Sequence, residues 1–336
     1  MVMKYYIFKI VTLSFIFFIQ INVLVCEIKN NPVVADTSKN FMFITSILQD
    51  DNIILCCGYH LGIFKSTDNG LTWSLSNNGL VHDQKNNIVG IKKNEGVYFA
   101  WTLKGRIYIS NDTANNWQLF TSYFDSSNLS INDLEFQDST IFLSSNEGIY
   151  FSKNNGINWN TIDKLERNNY GCLYIENETL FVTNNTIYYN YNNIWDSIKN
   201  IPKVKFLFSD IAFLGSKIFI VSDLGIYSTL DYGEKWENIT FNMDIPQGGY
   251  EGIIRIFSTT DRIYVCKDDG LYLLIENDKY WLKCCFDLKL KEQPLPWVIK
   301  KINGFYMLGS NGMGLFRSED GILFSQVKNI LLNGER

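Results

Sequence analysis

One pattern, Ser/Thr-x-Asp-x-Gly-x-x-Trp, returns along the chain at a nearly constant interval. It reads STDNGLTW at Ser66–Trp73, SNDTANNW at Ser110–Trp117, SKNNGINW at Ser152–Trp159 and TLDYGEKW at Thr229–Trp236. Asn154 replaces the acid in one copy and Ala114 replaces the glycine in another. A contracted copy, SEDGILF, runs from Ser318 to Phe324, and Trp195 and Trp281 keep the phase where the rest is eroded. The aromatic positions 73, 117, 159, 195, 236, 281 and 324 are 44, 42, 36, 41, 45 and 43 residues apart. A second mark, a Gly or Thr followed closely by Ile or Leu and an aromatic ring, precedes each of them, at Gly62, Gly105, Gly148, Thr186, Gly225, Gly270 and Gly314. A repeat of this kind restricts the fold to an array of like units, each burying its apolar face against its neighbours.

Residues 129–162 show what one unit contains. LSINDLEF, STIFLSS, GIYFS and NWNTI read as four short strands, separated by Asn, Gly, Ser and Asp, which are turn formers. No stretch of the body carries a sustained helical period. Four antiparallel strands in about 42 residues match a propeller blade. The reading is therefore all-β: a seven-bladed β-propeller over residues 40–336, with approximate blades 40–78, 85–122, 129–164, 168–199, 205–240, 250–286 and 297–330.

The recurring motif has a folding purpose at every copy. It falls at the turn between the third and fourth strands. Gly70, Gly156 and Gly233 supply a backbone conformation that other residues enter at a cost. Ser66, Ser110, Ser152, Thr229 and Ser318, with Asp68, Asp112, Asn154, Asp231 and Asp320, can hold turn amides. Trp73, Trp117, Trp159, Trp236 and Phe324 then pack at the start of the outer strand. Catalysis needs one special site, not seven similar ones.

These boxes resemble the Asp-box, or bacterial neuraminidase repeat, over residues 40 to 330. Families that carry it include sialidases, xyloglucan hydrolases, sortilin-like receptors and photosystem II assembly factors. The resemblance implies that the boxed turns lie on the face opposite the usual binding face. Sialidases have six blades, an Arg-Ile-Pro sequence and three arginines for the sugar carboxylate. The nearest sequence here is Arg255-Ile256-Phe257, and the chain holds only six arginines. Xyloglucan hydrolases join two such propellers, and sortilin-type propellers have ten blades. Length, leader and a single seven-bladed body look most like the assembly-factor group, which uses an arginine patch that is sparse here.

Composition narrows the function further. Of the 336 residues, 46% are apolar and 19% charged, with net charge −5 and pI near 5.2. No basic stripe appears, which argues against nucleic acid as a partner. Lys4 and Lys9 precede an uncharged run from Ile10 to Cys26, the layout of a secretory leader. Residues 1–26 are thus read as a signal peptide, with an uncleaved membrane anchor as the alternative, and 27–39 as a lead-in. The body then holds Cys56, Cys57, Cys172, Cys266, Cys284 and Cys285. In an exported chain these are expected to form at least one disulfide through the Cys56-Cys57 or Cys284-Cys285 pairs. Five glycosylation sequons start at Asn111, Asn128, Asn177, Asn184 and Asn238. Two histidines, His60 and His82, and no CxxC spacing support no metal and no cofactor.

A binding face opposite the boxes would be formed by turns between second and third strands and by the blade connections. Its candidates are Tyr59, His60, Trp101, Lys104, Glu147, Asp223, Tyr250, Glu251, Asp268, Asp269 and Trp297. A surface rich in Tyr, Trp and Asp suits a protein or a glycan. If the protein is an enzyme, the best carboxylates are Asp133 in INDLEF and Asp210 in SDIAFL, at matching positions of innermost strands. Both are expected to cap their own strands instead. The function read from the sequence is a secreted or surface-associated, monomeric, non-catalytic binding propeller. The alternatives are a glycoside hydrolase and an assembly or sorting factor for a membrane-protein client.

Overall fold

The structure is a computed structural model that describes residues 43–59, 61–81, 88–121, 124, 129–162, 164–165, 168, 170–176, 178–183, 186–191, 194–202, 211–222, 225–243, 253–267, 269–275, 279–287 and 294–327. Seven antiparallel sheets follow one another along the chain and form a seven-bladed propeller. Their inner strands are Phe43–Asp50, Ile88–Asn94, Ile131–Gln137, Leu173–Glu176, Ile211–Leu214, Ile253–Ser258 and Leu295–Ile302. Each pairs with the next strand in sequence, so a blade is a meander that runs outward. Among the described residues there is no helix.

The second strand of each blade is the most apolar. IILCCGY (Ile53–Tyr59) and KIFIVS (Lys217–Ser222) are buried on both sides along nearly their whole length. A strand sandwiched between two neighbouring blades needs an apolar run rather than alternation. The core is accordingly divided into seven clusters, one per seam. Leu55, Cys57 and Ile63 of blade 1 pack on Ile91, Tyr98 and Tyr108 of blade 2. Phe181 and Ile187 of blade 4 pack on Ile211 and Ile220 of blade 5. The ring closes by the same means: Ile44, Ile54 and Phe64 of blade 1 meet Ile302, Phe305 and Met307 of blade 7.

Two features depart from a plain repeat. Blade 7 has a fifth strand, Cys285–Phe286, which pairs in parallel with the outer strand Leu323–Gln326. Among the described residues, five inner strands also break register near their starts, between Ile44 and Ser46, Ile88 and Gly90, Ile131 and Asp133, Ile253 and Arg255, and Pro296 and Val298. Such bulges bend a strand and re-aim a side chain.

Cys56, Cys57, Cys172, Cys266 and Cys284 are thiols. Cys56 and Cys57 point into different seams and pack there as small apolar groups. The expected cross-link is therefore absent at Cys56, Cys57 and Cys284, and the expectation narrows to Cys285. The leader 1–26, the lead-in 27–39, His60, His82 and the sequons at Asn128, Asn177 and Asn184 lie outside the described residues.

Candidate functional site

The boxed turns spend their polar groups on themselves. In blade 1, the Ser66 hydroxyl donates to Asp68 (2.8 Å) and accepts from the Gly70 amide (2.9 Å). Asp68 Oδ1 accepts the amides of Leu71 and Thr72, and Oδ2 accepts the Thr72 hydroxyl at 2.6 Å. The same arrangement joins Ser110 to Asp112, Ser152 to Asn154, Thr229 to Asp231 and Ser318 to Asp320. The Thr72 hydroxyl and amide bonds hold the Asp68 carboxyl down at about 2. Asn116 and Ser110 hold Asp112 below the ordinary range in the same way.

The indole rings do more than cover their own hairpins. Trp117 Nε1 donates to Ser76 O (2.8 Å), Trp236 Nε1 to Lys199 O (3.2 Å) and Trp281 Nε1 to Ile239 O (2.7 Å). Each acceptor lies just beyond the outer strand of the preceding blade. These rings therefore stitch consecutive blades together.

At the opposite ends of the inner strands, several rings and one guanidinium form a row across the closing seam. Tyr59 stacks on Phe43, with centroids 5.9 Å apart and planes 11° apart. Phe43 meets Trp297 edge to face at 4.7 Å. The Arg255 guanidinium lies over the Trp297 ring at 4.4 Å and over Phe257 at 5.7 Å. The row thus crosses blades 1, 7 and 6. Trp297 sits in the blade 7 bulge, which turns its ring toward the neighbouring blades. Tyr59, Phe43, Trp297 and Arg255 are all partly exposed. Stacking on two rings pre-orients the guanidinium.

A second polar group lines the inner wall between blades 2, 3 and 4. Lys92 Nζ contacts Glu135 Oε1 (2.5 Å), Asp133 Oδ1 (3.0 Å) and Leu134 O (2.6 Å). Asp133 also accepts the amides of Leu134 (2.9 Å) and of Leu173 in blade 4 (3.1 Å). Burial lowers the proton affinity of Lys92, but the attraction of Asp133 and Glu135 prevails and raises it. Burial and then Asp133 push Glu135 up against the opposing pull of Lys92. With one cation between them and backbone amides filling Asp133, the carboxylates act as a three-blade tie. Asp133 thus accepts from the next residue of its own strand and also bridges to the next blade. Asp210, its proposed partner, lies outside the described residues.

The Sortilin-Vps10 family profile, described as "Sortilin, neurotensin receptor 3", matches residues 62–224. No curated protein matches the chain. Among solved structures, an ancestral GH74 enzyme superposes with a TM-score of 0.67 at 16% identity, over 89% of this chain and 47% of its own. YCF48 bound to D1 peptide gives 0.64 at 15%, over 86% and 97%. The extracellular domain of BT4673 from B. thetaiotaomicron gives 0.65 at 13%, over 86% and 39%. This chain is an Asp-box propeller. It spans about half of the GH74 chain and nearly all of the YCF48 chain.

Other candidates on the unboxed side of the Asp-box propeller have different surroundings. Lys104 and Glu147 are exposed on their turns. Asp269 is exposed and tied to Lys267 (3.2 Å), Lys283 (3.1 Å) and the Tyr272 hydroxyl (2.7 Å). Burial opposes ionisation there, but the Tyr272 and Lys283 bonds prevail and lower the Asp269 carboxyl. Trp101 is a correction: it is a core residue, 3% exposed in the seam of blades 2 and 3. Its ring lies against Gly90 of the paired strand, where a Cβ would come within 1.9 Å of it. His60, Asp223, Tyr250, Glu251 and Asp268 lie outside the described residues. Sequence reasoning missed Phe43, Lys92 and Glu135. Their positions at inner strands follow from the repeat register, but their contacts cross blades.

Proposed function

We propose that the protein is an exported, non-catalytic binding propeller that takes a protein segment at the mouth of the ring, opposite the boxes. The row Tyr59–Phe43–Trp297–Arg255 carries this reading. It joins flat apolar faces to a pre-oriented cation, the composition that dominates binding energy at protein interfaces. The neighbour YCF48 is bound to D1 peptide, and that likeness supports a peptide as the ligand class. The basic start and apolar run of residues 1–26 support export. Asn111 and Asn238 are exposed, as glycosylated asparagines must be. The Lys92 tie argues against a hydrolase, because a working pair keeps one carboxyl free to give and take a proton.

The test is to select peptides from a displayed random library on the mature protein and measure their affinities. Trp297→Ser and Arg255→Met should each weaken binding at least tenfold while leaving the melting temperature within about 3 °C. Equal affinity in both variants would sink the proposal. In parallel, sialosides, β-glucan and xyloglucan should not be hydrolysed. Turnover that vanishes in Asp133→Asn with melting preserved would install the glycosidase reading.

A further inference from the structure

At two seams a basic side chain on the third strand of one blade reaches the box of the next. Lys65 Nζ donates to Thr113 O (2.7 Å) and to Asn115 Oδ1 (2.9 Å), and Arg317 Nη1 donates to Asn69 O (3.2 Å). At the seam of blades 4 and 5 the corresponding positions are both tyrosines. Tyr189 stands where Lys65 and Arg317 do, and Tyr232 stands where Asn69 and Thr113 do. Tyr232 has φ +53°, like Asn69 (+57°), Thr113 (+58°) and Asn155 (+55°). Asn tolerates this left-handed region, whereas a bulky aromatic residue there is an outlier. The left-handed position is common to the boxed turns, and only in blade 5 does it carry an aromatic ring.

The Tyr232 ring is not spent on the core. It is 48% exposed, lies parallel to Phe181 at 6.3 Å and meets Tyr189 at 5.7 Å and 44°. Tyr191 and Ile194 are direct cross-strand partners, as are Tyr189 and Asp196. Strand alternation puts all four on the same face of blade 4 as Tyr189. Tyr191 is 50% exposed and Ile194 67%. The Tyr189 hydroxyl and Asp196 Oδ2 are 3.4 Å apart. Blade 4 is also where the box is eroded. Only two residues separate its third and outer strands, against seven in blades 1, 2, 3 and 5.

We propose that this ledge binds the pyranose rings of a neutral glycan. A pyranose has an apolar C–H face and a rim of hydroxyls. The exposed Tyr191 and Tyr232 rings and the open edge of the half-buried Tyr189 take the face, and their phenol groups with the Asp196 carboxylate take the rim. A purely apolar partner surface would cover Asp196 and the phenols without returning their hydrogen bonds, at a net cost. The ledge lies on the boxed side of the molecule and does not rest on the peptide site at the channel mouth.

The full mature chain is titrated with cellohexaose, chitohexaose and a xyloglucan heptasaccharide by calorimetry. At least one should bind. The double variant Y189K/Y232N rebuilds the seam in the manner of blade 1. It should melt at or above the wild-type temperature and lose affinity at least tenfold. Tyr191→Ser, at an exposed position, should weaken the same sugar severalfold and provides the test if the double variant does not fold. Trp297→Ser should bind the sugar as wild type does. Failure of all three sugars to bind at millimolar concentration, or undiminished binding by Y189K/Y232N or by Tyr191→Ser, overturns the proposal. So does a ledge that takes a selected peptide and none of the sugars.

Discussion

Gly233 shows how one residue of the box can be bound by its neighbours as well as by its own turn. Its φ is +90°, and a Cβ built on it would lie 2.4 Å from the backbone oxygen of Lys199 in the preceding blade. Gly96, in the hairpin between the first two strands of blade 2, has a similar φ of +83° but nothing within 4 Å. Gly96→Ala should therefore cost only the left-handed strain, about 1–2 kcal/mol. Gly233→Ala adds a backbone clash and should cost roughly 3 kcal/mol or more. Denaturant unfolding of the two variants checks this, and equal losses would mean that the blade contact is unimportant. Both glycines stand out in the sequence as turn residues. Only the approach of Lys199 separates them, and that carbonyl belongs to another repeat.

Within an element, the aromatic residue that ends each box is not equally important in every blade. Trp281 is fully buried, and its indole donates to Ile239 O across the blade seam. Trp73 is partly exposed and donates to Gly70 O inside its own turn (3.1 Å). Trp281→Ala should cost about 3–5 kcal/mol, and Trp73→Ala about half of that. Thermal melts of both variants test the ranking, which a reversed order would refute. The sequence pattern suggests the opposite, since the box around Trp73 is complete and the one before Trp281 is eroded. Burial at this position follows from the seam, so an eroded motif can keep the more important ring.

For the whole molecule, acid stability depends on carboxylates held below their ordinary value of 3.8. Hydrogen bonds hold Asp68, Asp112 and Asp231 down within the boxes. At Asp50 and Asp261 burial opposes ionisation, but the bonds from Lys93 and Tyr98, and from Lys301 and Tyr306, prevail. A carboxyl with a depressed folded value contributes stability above its unfolded value and loses it as pH falls through the folded one. Melting temperature should thus hold from neutrality to about pH 4 and fall steadily toward about pH 2, where Asp68 titrates. Glu135, raised by burial, acts in the opposite sense and blunts the upper end of that fall. A melting temperature unchanged between pH 4 and 2 would refute this assignment. The thiols report on the same global packing. Burial pushes Cys57 up to about 12 and Cys56 and Cys284 well above their ordinary value. Alkylation mapped by mass spectrometry should leave all three unmodified until the ring unfolds.

Blade number, strand order within a blade and the boxed turns follow from the sequence alone, because each depends on contacts within a few residues. A hydroxyl, a carboxylate and the amides of one turn are always near one another, so their spacing is visible in the text of STDNGLTW. What faces what across a seam depends on how neighbouring sheets twist and where a bulge turns a side chain. That is why Trp101 is buried against blade 3, and why Lys92 reaches Asp133 and Glu135 from another blade. The row at the channel mouth needs one step more. Phe43 and Trp297 stand at opposite ends of the chain and touch only because the last blade packs on the first. Ring closure is a property of seven small rotations summed, and no single repeat carries it.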